Sequence, residues 1–231
     1  MQKQALKIEG IPAIVWGEPS VRVYICVHGK LSCKEEARGF AAIAAQKGFQ
    51  ALSFDLPAHG ERKNENYPCA VWNAVHDLGI IGDYAKQNWR SLRLYGSSLG
   101  AYFSLLAYKD LPLQKCLFLS PILDMERLIQ KMMQAAGVSE QALRERREIP
   151  LPTGEPLSWE YYRYAKEHPV ARWEAPTSIL YGAEDTLTER DVIERFAKRF
   201  HCDLTVLEGG EHWFHTAEQL AVLNQWFAAQ I

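Results

Sequence analysis

Several absences narrow the possibilities before any motif is read. No apolar stretch of the 231-residue chain approaches the roughly eighteen residues that cross a bilayer, so no membrane span is expected. The first ten residues, M-Q-K-Q-A-L-K-I-E-G, contain no continuous apolar run, and no secretory signal is expected from them. There is no long block of one charge sign and the net charge is -2, which speaks against a nucleic-acid or anionic-membrane partner. Cysteine is scarce: five residues, an odd number, without a C-x-x-C pair. They read as reduced, mostly buried thiols in a cytoplasmic protein. G-x-G-x-x-G, G-x-x-x-x-G-K-[ST] and H-E-x-x-H are all missing, which leaves dinucleotide, phosphate-loop and zinc-protease chemistry without support. No internal repeat or low-complexity segment occurs.

What is present is a globular composition, 48% apolar and 11% aromatic, at a length suited to one domain. Residues 6–16 alternate and carry Gly10 and Pro12, which reads as a pair of short edge strands. V-R-V-Y-I-C-V (21–27) is a strand ending at His28-Gly29, followed by S-C-K-E from Ser32, a capping-box pattern before an Ala-rich helix. A-L-S-F-D-L (51–56) is a strand, 57–68 a polar loop and 70–88 an amphipathic helix. An alternating apolar strand from 92 that ends in Gly-Ser-Ser-Leu-Gly, a helix at 101–109 and strands at 116–120, 177–182 and 202–208 follow. Thr188-Glu-Arg-Asp191 and Thr216-Ala-Glu-Gln219 read as caps of the last two helices. Strands alternating with helices imply βαβ units: a doubly wound, mainly parallel α/β sheet with helices on both faces and one antiparallel edge. Residues 122–175 break the rhythm, since a crossover needs only about a dozen residues. They contain two helical patterns (from Met125 and Ser139), a Pro-rich stretch (Pro150, Pro152 and Pro156) and the aromatics Trp159, Tyr161, Tyr162, Tyr164 and Trp173. The reading is one domain, 1–231, with 122–175 inserted as a cap at the carboxyl end of a strand, where open α/β sheets bind ligands.

The chemistry gathers on L-R-L-Y-G-S-S-L-G, 92–100. A strand runs into Gly-x-Ser-x-Gly and a helix follows at once, which places Ser98 on a strained turn whose flanks tolerate no bulk. Ser97 is not centred between the glycines. A serine hydroxyl needs a base, and the base needs an acid to fix its tautomer. Two groups sit after later strands: Asp185 in G-A-E-D, and His212 in E-G-G-E-H. Asp124, in S-P-I-L-D, is a reserve acid; Glu184 should point away from the site. His215 stands three residues after His212 as its rival, and the H-x-x-H spacing has no third ligand cluster to make a metal site. His28 and His59 read as histidines that shape their loops.

V-H-G at 27–29, D-L-P-A-H-G at 55–60, G-S-S-L-G at 96–100, Y-G-A-E-D at 181–185 and G-G-E-H at 209–212 occur in that order, each at an expected strand end. Over essentially its whole length the chain resembles the α/β-hydrolase-fold serine hydrolases of esterase and lipase type. The resemblance implies Ser98 as nucleophile, His212 as base and Asp185 as acid. It implies an oxyanion hole from the backbone N–H groups of Leu99 and Lys30, and no cofactor or metal. Two departures stand out: Gly-Gly-Glu before the histidine, where Gly-x-Gly is frequent, and Lys at position 30, where a small or apolar residue is frequent. The expected substrate is a small-molecule carboxylic ester with a small or medium acyl group. The same triad would serve an acyl-thioesterase or peptidase, and the scaffold is also compatible with a non-catalytic ligand-binding or sensor protein. Oligomeric state is not readable from the sequence.

Overall fold

A computed structural model describes residues 1–152 and 154–231; Thr153, within the 122–175 insert, lies outside the described residues. The chain opens with an antiparallel hairpin of β1 (Lys3–Ile8) and β2 (Ile11–Trp16). β3 (Arg22–Val27), α1 (Arg38–Gln46), β4 (Gln50–Phe54), α2 (Val71–Asn88), β5 (Ser91–Ser97), α3 (Leu99–Ala107) and β6 (Leu113–Leu119) follow in alternation. Before the next sheet strand come α4 (Met125–Ala135), α5 (Glu140–Arg146), the two-residue strands β7 (Glu148–Ile149) and β8 (Leu157–Ser158), and α6 (Trp159–Glu167). β9 (Thr177–Gly182), α7 (Arg190–Phe200), β10 (Asp203–Leu207) and α8 (Ala217–Gln230) complete the chain.

The main sheet has eight strands in the order β1-β2-β4-β3-β5-β6-β9-β10, and every pairing from β4 to β10 is parallel. Only β2 runs against its neighbours. Period-two alternation distributes the core between the two faces. Val23, Ile25 and Val27 of β3 join α2, α3 and α7 on one side, whereas Tyr24 and Cys26 join α1 and α8 on the other. The described residues of the 122–175 segment share the core of the sheet. Leu143, Leu157, Tyr162 and Trp173 are buried in the cluster that also holds Val27 and Phe103.

Three local expectations are corrected. β2 is not an edge strand: it lies between β1 and β4, and Pro12 sits inside it. The proline is tolerated because the ladder to β4 begins at Ala13, so the side facing β4 needs no N–H from position 12; its carbonyl accepts from Asp55 N–H at 3.0 Å. The Ser32 cap does not form. A 3₁₀ turn, Lys34–Ala37, leads into α1 from Cys33 without a side-chain cap, while the Ser32 hydroxyl bonds the Glu36 carboxylate. Thr188 does not cap α7 either, because its hydroxyl donates to Pro121 O at 3.3 Å. The Thr216–Gln219 capping box is present at the start of α8.

Candidate active site

Parallel strands put their carboxyl ends on one edge of the sheet, and four of those ends converge. Ser98 follows β5 with φ 47° and ψ -117°, a strained conformation for a residue with a Cβ. It is fixed from both sides: its N–H donates to Leu119 O at 3.0 Å, and its carbonyl accepts from Ala101 and Ile122 N–H at 3.1 and 3.2 Å. A Cβ at Gly100 would collide with the carbonyl oxygens of Val27 and His28, so only glycine lets α3 pack this closely on the end of β3.

His212 Nε2 lies 2.7 Å from Ser98 Oγ, and His212 Nδ1 lies 2.6 Å from Asp185 Oδ2. The other oxygen of Asp185 accepts from Leu187 and Thr188 N–H at 2.8 and 3.1 Å. Its carboxylate side chain is completely buried, with one oxygen occupied by two backbone N–H donors and the other facing His212 Nδ1, which orients the ring with Nε2 toward Ser98. The Gly-Gly-Glu loop before His212 is tied down by Glu184 N–H to Gly210 O at 2.8 Å and by Gln219 Nε2 to Gly209 O at 3.2 Å. Gly182 makes this possible, because a Cβ there would strike the carbonyls of Gly210 and Glu211.

Asp124 and His215 are placed elsewhere. Asp124 caps α4, accepting from Arg127 N–H at 2.9 Å, and is exposed. His215 stacks on Trp213, and its Nδ1 lies 3.1 Å from Glu211. Leu99 opens α3, so its N–H belongs to the first-turn donors that have no partner within the helix. Gly29, adjoining Lys30, lies against Ser98: a Cβ on it would come 3.3 Å from Ser98 Cβ. The Lys30 side chain is ion-paired with Glu155 of the insert, both half-exposed.

Sequence reasoning missed the supports of this edge. Asp55 is fully buried, accepting from Lys34 Nζ at 2.7 Å and from the backbone N–H of Lys34 and Glu61 at 2.9 and 3.0 Å. Arg62 donates to Asp77 Oδ2 at 2.6 Å and to Asp55 O at 3.2 Å. Nothing in the sequence pattern marks these four charged residues, and Arg62 lies within the polar 57–68 loop. The rim is apolar. Leu31 (91% exposed), Leu187 and Trp213 (71% exposed) lie within two residues of Lys30, Asp185 and His212. Tyr161 and Tyr164 of α6 face Trp72 of α2 at ring separations of 6.4 and 6.1 Å.

No family model and no curated protein matches the sequence. Solved structures do match. Est1E from Butyrivibrio proteoclasticus, with ferulic acid bound, aligns over 98% of this chain and 96% of its own at 18% identity and a TM-score of 0.76. Alpha/beta hydrolase domain-containing protein 10 from mouse aligns over 99% and 98% at 16% identity, TM-score 0.75. The esterase PF2001 of Pyrococcus furiosus aligns over 99% and 88% at 16% identity, TM-score 0.70. The chain has the α/β-hydrolase fold.

Proposed function

We propose that the chain is a serine hydrolase that cleaves carboxylic esters of small or medium acyl groups through an acyl-enzyme. The observation that carries this reading is the continuous line Ser98 Oγ, His212 Nε2, His212 Nδ1, Asp185 Oδ2, with both links at hydrogen-bond distance. Ser98 attacks the ester carbonyl while His212 takes its proton, and Asp185 stabilises the imidazolium. The oxyanion is received by the N–H groups of Leu99 and Lys30; loss of one such donor typically costs about 2.7–4 kcal/mol. His212 passes its proton to the leaving alcohol, which departs as the tetrahedral intermediate collapses. Water, deprotonated by His212, then attacks the acyl-Ser98 carbonyl; the acyl–Oγ bond breaks, Ser98 Oγ takes the proton back from His212, and the acid is released. None of these steps calls for a cofactor or metal. The exposed apolar side chains of Leu31, Leu187 and Trp213, within two residues of the site residues in sequence, support an acyl or alcohol group with exposed hydrocarbon. Fold likeness to proteins described as esterases is consistent with this choice and does not select the substrate.

The test is a panel of p-nitrophenyl esters of increasing chain length, run beside acyl-thioester and aminoacyl-amide substrates. The expected result is highest kcat/KM on short or medium esters. Preference for the thioester or amide would move the assignment, and turnover of none would sink it.

A further inference from the structure

An oxyanion hole works only if its donors are aimed before the charge arrives. The Leu99 N–H is aimed by its helix. Lys30 lies in a loop, its side chain turned outward to Glu155, and something else must hold its peptide. Resting on the serine-hydrolase reading, we propose that His28 and His59 together form a clamp on the peptides flanking Lys30, with His59 a positioning residue for the oxyanion hole.

The first half of the clamp is His28. Its Nε2 lies 3.1 Å from Leu56 N, which can only donate, so Nε2 carries the lone pair and the proton resides on Nδ1. Nδ1–H therefore donates to Gly29 O, at 2.7 Å. The Gly29–Lys30 bond is trans, so fixing the Gly29 carbonyl fixes the Lys30 N–H in the opposite direction. Because Gly29 abuts Ser98, that plane lies beside the proposed nucleophile.

His59 supplies the second half. Leu31 N–H donates to His59 Nε2 at 3.1 Å, and His59 Nδ1–H donates to Pro57 O at 2.8 Å. This bond sets the Lys30–Leu31 peptide, the other plane hinged at the Lys30 Cα. It matters because Leu31 is left-handed, φ 62°, an unfavourable conformation for a branched side chain. The side chain is 91% exposed, so packing does not hold this geometry. The residue before His59, Ala58, is also left-handed at φ 59°. The two rings pack edge to face with centroids 5.2 Å apart, joining the halves.

The test separates the two nitrogens of His59. Asparagine keeps a donor near the Nδ1 position, toward Pro57 O, but stops short of Leu31; glutamine keeps an acceptor near the Nε2 position. His59→Asn should lower kcat for a p-nitrophenyl ester by about 10- to 100-fold, less than outright loss of an oxyanion donor, with KM within about twofold. Inhibition by an alkyl trifluoromethyl ketone, whose hemiketal oxyanion needs the same donors, should weaken in proportion. Hydrogen exchange at the Leu31 amide should speed up, and His59→Gln should restore both. The clamp is refuted by a kcat within twofold in folded His59→Asn, by equal losses in both variants, or by a loss confined to KM. If His59→Asn does not fold, His59→Gln decides alone: near-native kcat with a protected Leu31 amide supports the clamp, and a folded protein more than about tenfold slower refutes it. If the wild type turns over no ester, the hydrolase reading fails, and Leu31 exchange still judges the clamp, unchanged exchange in His59→Asn overturning it.

Discussion

Two aspartates at neighbouring strand ends are separated by what their oxygens touch. Asp185 is buried, with one oxygen on His212 and the other on two backbone N–H groups, whereas Asp124 is exposed and caps a helix. Asp185→Asn should therefore lower kcat by about 10³- to 10⁴-fold, because an amide favours the wrong imidazole tautomer. Asp124→Ala should leave kcat unchanged and cost about 1 kcal/mol of stability as a lost helix cap. Steady-state kinetics and urea denaturation of the two variants decide this, and the reverse pattern would move the acid to Asp124. His28 makes a separate prediction. Burial lowers its pKa from 6.5 to about 4. As pH falls, the unfolded chain takes up this proton near pH 6.5 and the folded chain resists until about pH 4. The stability this group contributes is thus complete above about pH 6.5 and lost progressively down to about pH 4, about 3 kcal/mol in all. Between pH 7 and 5, urea-derived stability of the wild type should fall about 2 kcal/mol further than that of His28→Gln, which keeps an acceptor for Leu56 N–H but cannot take the proton. Parallel pH curves would contradict the assignment.

At the scale of elements, the site depends on how closely α3 approaches the end of β3. Gly100→Ala places a methyl against two backbone carbonyl oxygens that belong to the sheet and cannot swing away. The expected cost is about 3 kcal/mol or more, with activity lost in whatever folds; thermal melts within a degree or two of wild type would show that the approach is adjustable. This strand–turn–helix was legible in the sequence because glycine spacing, apolar alternation and helix onset all pointed the same way. So were the positions of Asp185 and His212, since parallel strands bring their ends together whatever their separation in sequence. The caps at Ser32 and Thr188 were misread because a cap pattern records only local partners, and Thr188 finds Pro121, far away in sequence. Helix α6 does not stand out in the sequence, although Ser158 caps it. The buried Lys34–Asp55 and Arg62–Asp77 pairs left almost no trace, because nothing periodic marks a charge that is paired across a loop.

For the whole molecule, the decisive arrangement is that one apolar cluster runs from the sheet into residues 122–175. That segment cannot be detached without opening the face that carries α2 and α3. Leu143, completely buried in the insert, should cost about 2–5 kcal/mol when changed to Ala, and fluorescence and circular dichroism should report the same single unfolding transition. An earlier, separate transition for the insert would mean that it is an independent unit. Among the described residues no helix is long and apolar enough to cross a membrane.

The central claim is that Ser98 is an activated nucleophile, and a fluorophosphonate probe measures this without knowledge of the natural substrate. Incubation of the full chain with the probe, followed by mass mapping, should place one adduct on Ser98. Labelling should vanish in Ser98→Ala and fall steeply in His212→Ala. A folded wild type that takes up no probe, or takes it up equally well as Ser98→Ala, would contradict the claim.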